Sequence, residues 1–242
     1  MATHRPPSAS TYAGRNLHGK VVNELGRRIA GGDYPPGATL PVEETLCVEL
    51  QVSRTALREA VKVLAAKGLL ASRPRVGTRV RPPESWNLLD PDVLAWRCAT
   101  RPDPAFLLQL AEMREIFEPA AAALAARHRT AEQLAAIEAA FDAMASAEEL
   151  GAWVQADLAF HDAVLQATGN PLLSPLAAMI GSALESLLGL TARTADNFNA
   201  SLPDHRAVLD AIRQGDGVAA RRCMESLLGD TRALMTRSAP FV

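Results

Sequence analysis

Beyond residue 91 the chain repeats one pattern: apolar side chains return every three or four residues, and the runs break at Gly, Pro or Thr. PAFLLQLAEMREIFEPAAAALAARH, TAEQLAAIEAAFDAMAS, ELGAWVQADLAFHDAVLQATG, PLLSPLAAMIGSALESLLGL, PDHRAVLDAIRQG and GVAARRCMESLLGDTRALM all follow it. That spacing lays an apolar stripe along a helix, whereas a half-buried strand alternates its faces every second residue. The segment 92–238 is therefore expected to form an all-α helical bundle. Composition agrees, with 48% hydrophobic residues but only 5% aromatic, and with the helix formers Ala and Leu dominant.

The first 81 residues are organised differently. Residues 1–15, rich in Pro, Ser and small side chains, read as a flexible tail. In the segment 16–81 a first helix is predicted from Leu17 to Ala30, with Val21, Val22, Leu25 and Ile29 on one face. Gly31 and Gly32 stop it, and YPPGATLP follows as a rigid turn. A second helix is predicted over Val42–Leu50, with Gln51 and Val52 as the next turn. Ser53 then N-caps a third helix that runs to Lys67 and is ended by Gly68. LLASRPRVGTRV offers two short strands around a Pro/Gly turn. Helix, helix, turn, helix, hairpin is the order of a winged helix-turn-helix. Pro82 and Pro83 open a stiff linker over 82–91. The expected fold is mainly α, an N-terminal winged helix-turn-helix with a small β-hairpin wing joined to the helical bundle.

Charge divides at the same place. Residues 1–81 hold 13 Lys/Arg against 6 Asp/Glu, a net of +7, while the remainder carries −9, so the total of −2 conceals a basic head on an acidic body. Only the head is suited to a polyanion. Within it, VSRTALREAV divides cleanly on a helical wheel advancing about 100° per residue. Leu57, Ala60, Val61, Val63 and Leu64 share an apolar side, while Arg54, Thr55, Arg58 and Lys62 share the other. Arg54 and Thr55 stand in the first turn, where free N–H groups and the helix dipole also favour phosphate. A recognition helix reads bases from this end, and Arg donates two hydrogen bonds to guanine. Arg73, Arg75, Arg79 and Arg81 on the hairpin are placed for backbone or an adjacent groove.

No apolar run approaches the roughly 18 residues of a membrane span, and the N-terminus MATHRPPSASTYAGRN has no apolar signal-peptide core. Cys47, Cys98 and Cys223 are odd in number and unpatterned, which argues against a disulfide framework and for a reducing cytoplasm, nucleoid-associated if DNA is bound.

In the acidic body, Asp157 and His161 lie at i and i+4 on one helix face, and His205 opens another helix. A carboxylate and imidazole so arranged can share a divalent metal, with His205 as a third ligand, although such a pair is more often simply hydrogen-bonded or exposed. A metal-dependent hydrolase built on Asp157, His161 and His205 is the alternative from another class, but the chain has no HExxH, no Gly-rich phosphate loop and no G-x-S-x-G.

YPPGATLPVEETLCVELQVSRTALREAVKVLAAKGLLASRPRVGTRV resembles the DNA-binding domain of GntR-type bacterial transcription regulators: the Pro-Gly turn, Leu40-Pro41-Val42-Glu43, VSRTALREA and the closing Gly-Thr-Arg-Val match in order. The resemblance implies DNA contacts by Arg54, Arg58 and the wing Gly77, and the full set expected at the DNA is Ser53, Arg54, Thr55, Arg58, Lys62, Arg73, Arg75, Gly77, Thr78 and Arg79. It departs at Glu44, where many relatives carry an Arg that touches DNA. DLAFHDAVLQATGNPLL and HRAVLDAI are similar to the FCD effector domain of the FadR subfamily, whose metal-binding members use one Asp and three His beside a carboxylate effector. Asp157, His161 and His205 match three of those ligands, Leu227 stands where the fourth His would be, and Arg114 aligns with a helix Arg often found near the effector pocket, where it either clamps a ligand carboxylate or pairs with Glu118 at i+4. The resemblance thus implies a zinc-like ion on three ligands, completed by water or effector, or a site no longer used for metal. WNLLDPDVLAWR is most similar to members governing sugar acids, so the implied effector is a small carboxylate or sugar acid. The implied protein is an effector-released repressor, a homodimer on a pseudo-palindromic operator, with no catalytic residues.

Overall fold

A computed structural model of the chain describes residues 17–73, 77–100, 104–173, 176 and 198–238. The predicted tail over 1–15, the hairpin tip with Arg75, and most of the predicted helix in PLLSPLAAMIGSALESLLGL lie outside them. The described residues fall into two compact units, the first ending at Pro102 and the second beginning at Asp103.

The first unit is a winged helix-turn-helix. Helices α1 (Leu17–Gly31), α2 (Glu43–Leu50) and α3 (Arg54–Ala66) are followed by the antiparallel hairpin β1 (Leu70–Arg73) and β2 (Gly77–Val80), paired Leu70 to Val80 through Arg73 to Gly77. Each helix ends as its sequence dictates. Gln51 closes α2 in the left-handed region at φ 54° and, as the C-cap, donates its N–H to helix carbonyls. Ser53 Oγ accepts the Ala56 N–H at 3.2 Å to open α3. The core joins Val22, Leu25 and Ile29 of α1 to Leu46, Leu57, Ala60, Leu64, Leu70 and Val80.

Two features of this unit are tertiary. Residues of the predicted Pro/Gly turn also extend the wing: Gly37 N donates to Val80 O at 2.9 Å, Val80 N to Ala38 O at 2.9 Å and Leu40 N to Thr78 O at 2.8 Å. The base of the hairpin is therefore tied on its second edge. The linker is equally well held. Residues 83–85 form a 3-10 turn, Trp86 Nε1 donates to Arg81 O at 3.0 Å, and α4 (Pro91–Thr100), which periodicity groups with the bundle, packs on α1 in this first unit. Trp96 Nε1 reaches Asn23 Oδ1 at 2.6 Å, its ring lying where a Cβ on Gly26 would stand. Lys67, buried at the end of α3, places Nζ 2.6 Å from Asp90 and 3.0 Å from Asp92. Burial opposes that ammonium charge, but the two carboxylates outweigh it and hold the Lys67 pKa above its usual value.

Gly68 is required here twice over: its φ is +85°, and a Cβ would sit 2.2 Å from the Ser85 carbonyl oxygen. Gly68→Ala is expected to destabilise the unit by about 2 kcal/mol or more. An unchanged thermal midpoint in the variant would show that the turn can open at no cost.

The second unit is helical throughout its described residues. It comprises α5 (Pro104–His128), α6 (Ala131–Ala145), α7 (Leu150–Gln166), α8 (Leu202–Gln214) and α9 (Gly217–Ser238), with a 3-10 turn over Phe198–Ser201. Thr130 and Gln133 form a reciprocal capping box at the start of α6. α5 packs on α9, α6 on α7, and α8 against α9, α5 and α6. The buried faces are Ala121, Ala122 and Ala125 of α5, Ile137 and Phe141 of α6, Phe160 and Val164 of α7, Val208 and Ile212 of α8, and Met224 and Leu227 of α9. Alanines on α5 let neighbouring helices approach closely, which is why so few aromatics suffice. Among the described residues no helix is long and apolar enough to cross a membrane.

Candidate functional site

The basic face of α3 stands clear of the core. Leu57, Ala60 and Leu64 are buried, while the side chains of Arg54, Arg58 and Lys62 are 66%, 67% and 70% exposed and Thr55 is exposed beside them. Across a cleft of about 760 Å³ from α3 stand Ser72, Gly77 and Thr78 of the wing. Gly77 takes φ +94° and is exposed, Thr78 Oγ1 lies 3.0 Å from Ser72 Oγ, and Arg79 Nε reaches Thr39 Oγ1 at 3.4 Å. Arg73 closes β1, but its side chain, like all of Arg75, lies outside the described residues.

The first turn of α2 supplies partners that periodicity did not suggest. Arg58 Nε donates to Glu43 Oε2 at 2.9 Å, and Arg54 Nη2 lies 3.7 Å from Glu44 Oε1. In the sequence these acids show only as first-turn carboxylates that complement the helix dipole. Exposed pairs of this kind contribute about 0–1 kcal/mol each, so they leave both guanidinium groups available to another partner.

The second site is buried. α7 carries Asp157 and His161 on one face, α8 brings His205 from its first turn, and α5 contributes Arg114 and Glu118, all five at 5% exposure or less. Arg114 grips Glu118 with Nε at 2.5 Å from Oε1 and Nη2 at 3.3 Å from Oε2. Glu118 Oε2 also lies 2.8 Å from His161 Nδ1, off the line of an ideal hydrogen bond. His205 Nδ1 is 2.8 Å from the Ser201 carbonyl oxygen, which can only accept, so Nδ1 donates to it and Nε2 is turned toward Asp157. That Nε2 lies 3.0 Å from Asp157 Oδ1, and His161 Nε2 lies 3.9 Å from Asp157 Oδ2. Burial alone would raise both carboxyls. Arg114 and His161 nevertheless hold Glu118 down at about 2, and His161 with His205 holds Asp157 below its ordinary value.

These residues fit a divalent ion. Ligand atoms of Asp157, His161 and His205 all lie within 4.8 Å of one another. Asp157 Oδ2 and His205 Nε2 are buried with no aligned hydrogen bond, the state in which a ligand atom is left when its ion is removed. Glu118 beside His161 Nδ1 and the Ser201 carbonyl at His205 Nδ1 stand where the outer-shell acceptors of metal-binding imidazoles commonly stand. Leu227 is buried on α9, and among the described residues no fourth His, Cys, Asp or Glu joins the group. Sequence reasoning paired Glu118 with Arg114 but did not connect it to His161, because that contact joins α5 to α7.

Residues 17–80 match the family of bacterial regulatory proteins named gntR, and residues 109–230 match the FCD domain. The chain belongs to the GntR family. An HTH-type transcriptional regulator of Escherichia coli K12, YieP, is 38% identical over 92% of this chain and 97% of its own length. The galactonate operon transcriptional repressor of the same organism is 36% identical over 89% and 95%. Among solved structures, Lar, which controls the expression of the Listeria monocytogenes agr system, superposes with a TM-score of 0.68 at 21% identity, covering 93% of this chain and 98% of that one. That last likeness concerns the fold. Membership makes this GntR protein a DNA-binding transcription regulator rather than an enzyme, with an FCD domain for a small-molecule effector. The hydrolase alternative finds no support among its relatives.

Proposed function

We propose that this GntR regulator is a repressor of a carboxylate or sugar-acid catabolic operon, released when its effector binds. The observation that carries the reading is the buried Asp157-His161-His205 group with Arg114 beside it: a metal-competent centre with a guanidinium at hand inside an FCD domain suits a small hydroxylated acid. The resemblance to the galactonate repressor supports the same class of effector. Asp157, His161 and His205 would hold one divalent ion of the zinc type, which would supply a Lewis-acidic point for a carboxylate oxygen. With Leu227 in place of a fourth side chain, the open positions fall to water and effector. Arg114 would offer the effector those guanidinium donors that Glu118 does not take.

At the other end, Arg54, Thr55, Arg58 and Lys62, with Ser53 at the helix start, enter a major groove, while Arg73, Arg75, Gly77, Thr78 and Arg79 follow the backbone or the neighbouring groove. A homodimer would present two such heads to a pseudo-palindromic operator. The effector releases DNA to the extent that it binds the DNA-free arrangement more tightly, since equal affinity for both states shifts nothing.

Fluorescence anisotropy of operator DNA, titrated with a panel of sugar acids and hydroxy acids, tests this reading. One class of acid should release the DNA, and a panel with no effect would remove the sugar-acid assignment. Calorimetry on protein stripped with chelator should show one zinc ion per chain. Asp157→Asn and His161→Ala should each weaken that binding about a hundredfold or more. Zinc affinity unaltered by both variants would place the ion elsewhere.

A further inference from the structure

The reading face of α3 is not wholly cationic at its edge. Glu44 extends from the first turn of α2 with 80% of its side chain exposed, and its carboxylate accompanies Arg54, itself 66% exposed. Their charged ends are 3.7 Å apart, too far for a strong hydrogen bond, so the pair adds little to the fold. Glu43, with Oε2 on Arg58 at 2.9 Å, already supplies a first-turn acid. Glu44 is therefore a carboxylate held at a surface that must approach a polyanion, without a structural duty that accounts for it.

In a major groove most groups repel it. Phosphate oxygens, guanine O6 and N7, and thymine O4 are acceptors, and only cytosine N4 and adenine N6 donate. Arg54 has the opposite preference and suits guanine O6 and N7. Successive base pairs are about 3.4 Å apart along each strand. Two charged ends 3.7 Å apart thus address the same base pair or adjacent ones. A single G·C pair shows acceptors and an amino donor side by side.

We propose that Glu44 is a specificity-determining residue: it accepts a hydrogen bond from the exocyclic amino group of a cytosine or adenine in the base pair next to the guanine read by Arg54. The inference rests on α3 being the base-reading helix. Glu44 lowers affinity for every sequence lacking that amino group, so it selects by exclusion as much as by attraction.

The test is selection from duplexes with randomised half-sites, using the full-length protein without effector, beside its Glu44→Ala and Glu44→Gln variants. Melting curves should first confirm that the variants fold like the parent, since the side chain is exposed. Wild type should enrich cytosine or adenine about tenfold at one position beside a guanine. Glu44→Ala should level that position while leaving the others unchanged, and Glu44→Gln should shift it toward adenine, whose N6 and N7 suit an amide. Identical base preferences in wild type and Glu44→Ala, with uniformly tighter binding by the variant, would overturn the proposal and leave Glu44 a simple repeller of phosphate. Failure of the wild type to retain any sequence selectively would instead remove the base-reading role of α3 on which it stands.

Discussion

Replacing Arg54 and Arg58 together by alanine is expected to reduce operator binding to the level of unrelated DNA, a loss of about a thousandfold or more. Each side chain can make a bidentate contact worth about 1–3 kcal/mol of base discrimination. Their removal also strips the partners from Glu43 and Glu44, leaving two uncompensated carboxylates toward the phosphates. The effect should be on recognition alone. Both arginines are about two-thirds exposed, and the apolar side of α3 is untouched, so the melting midpoint should stay within experimental error of the parent. Anisotropy with operator and scrambled duplexes, at one fixed salt concentration, measures the loss. Retention of operator affinity within threefold would show that the wing or another element does the reading.

The largest stability effect is expected in the second unit, from Glu118→Ala. Glu118 is 2% exposed and supports both the Arg114 guanidinium and the His161 ring. Deleting it leaves a guanidinium 3% exposed without its counter-charge, a change that costs about 3–5 kcal/mol in buried pairs. For a unit of this size the thermal midpoint should fall by roughly 10 °C. Replacing both partners, as in Arg114→Met with Glu118→Leu, should recover most of that stability because no charge is stranded. The same double variant should no longer bind the effector acid, since the Arg114 guanidinium is gone. Equal midpoints for Glu118→Ala and the parent would mean that water reaches Arg114 and solvates it.

The parts that could be read directly from the chain are those whose causes are local. Ser53 caps α3 through its own third neighbour, Gly68 ends it where a positive φ is needed, and the sorting of Leu57, Ala60 and Leu64 from Arg54 and Arg58 follows from helical period alone. Asp157 and His161 share a face for the same reason, one turn apart on α7. What escaped were contacts between residues far apart in sequence: Ala38 on β2, Lys67 on Asp90 and Asp92, and Trp96 on Asn23. Periodicity grouped 92–100 with the bundle because a helix bound to α1 carries the same apolar spacing as one bound to α5.

By itself the sequence determined the helical class, the order of the winged head, the polarity of its third helix and the one-turn spacing of Asp157 and His161, since each depends on neighbours within one or two turns. Only the tertiary structure decided which charges answer one another. It set Glu43 against Arg58 and Glu44 against Arg54, brought His205 to Asp157, and placed Glu118 between Arg114 and His161. The physical reason is that an ion pair is a matter of a few ångströms in space, and three separate helices must pack before those ångströms exist.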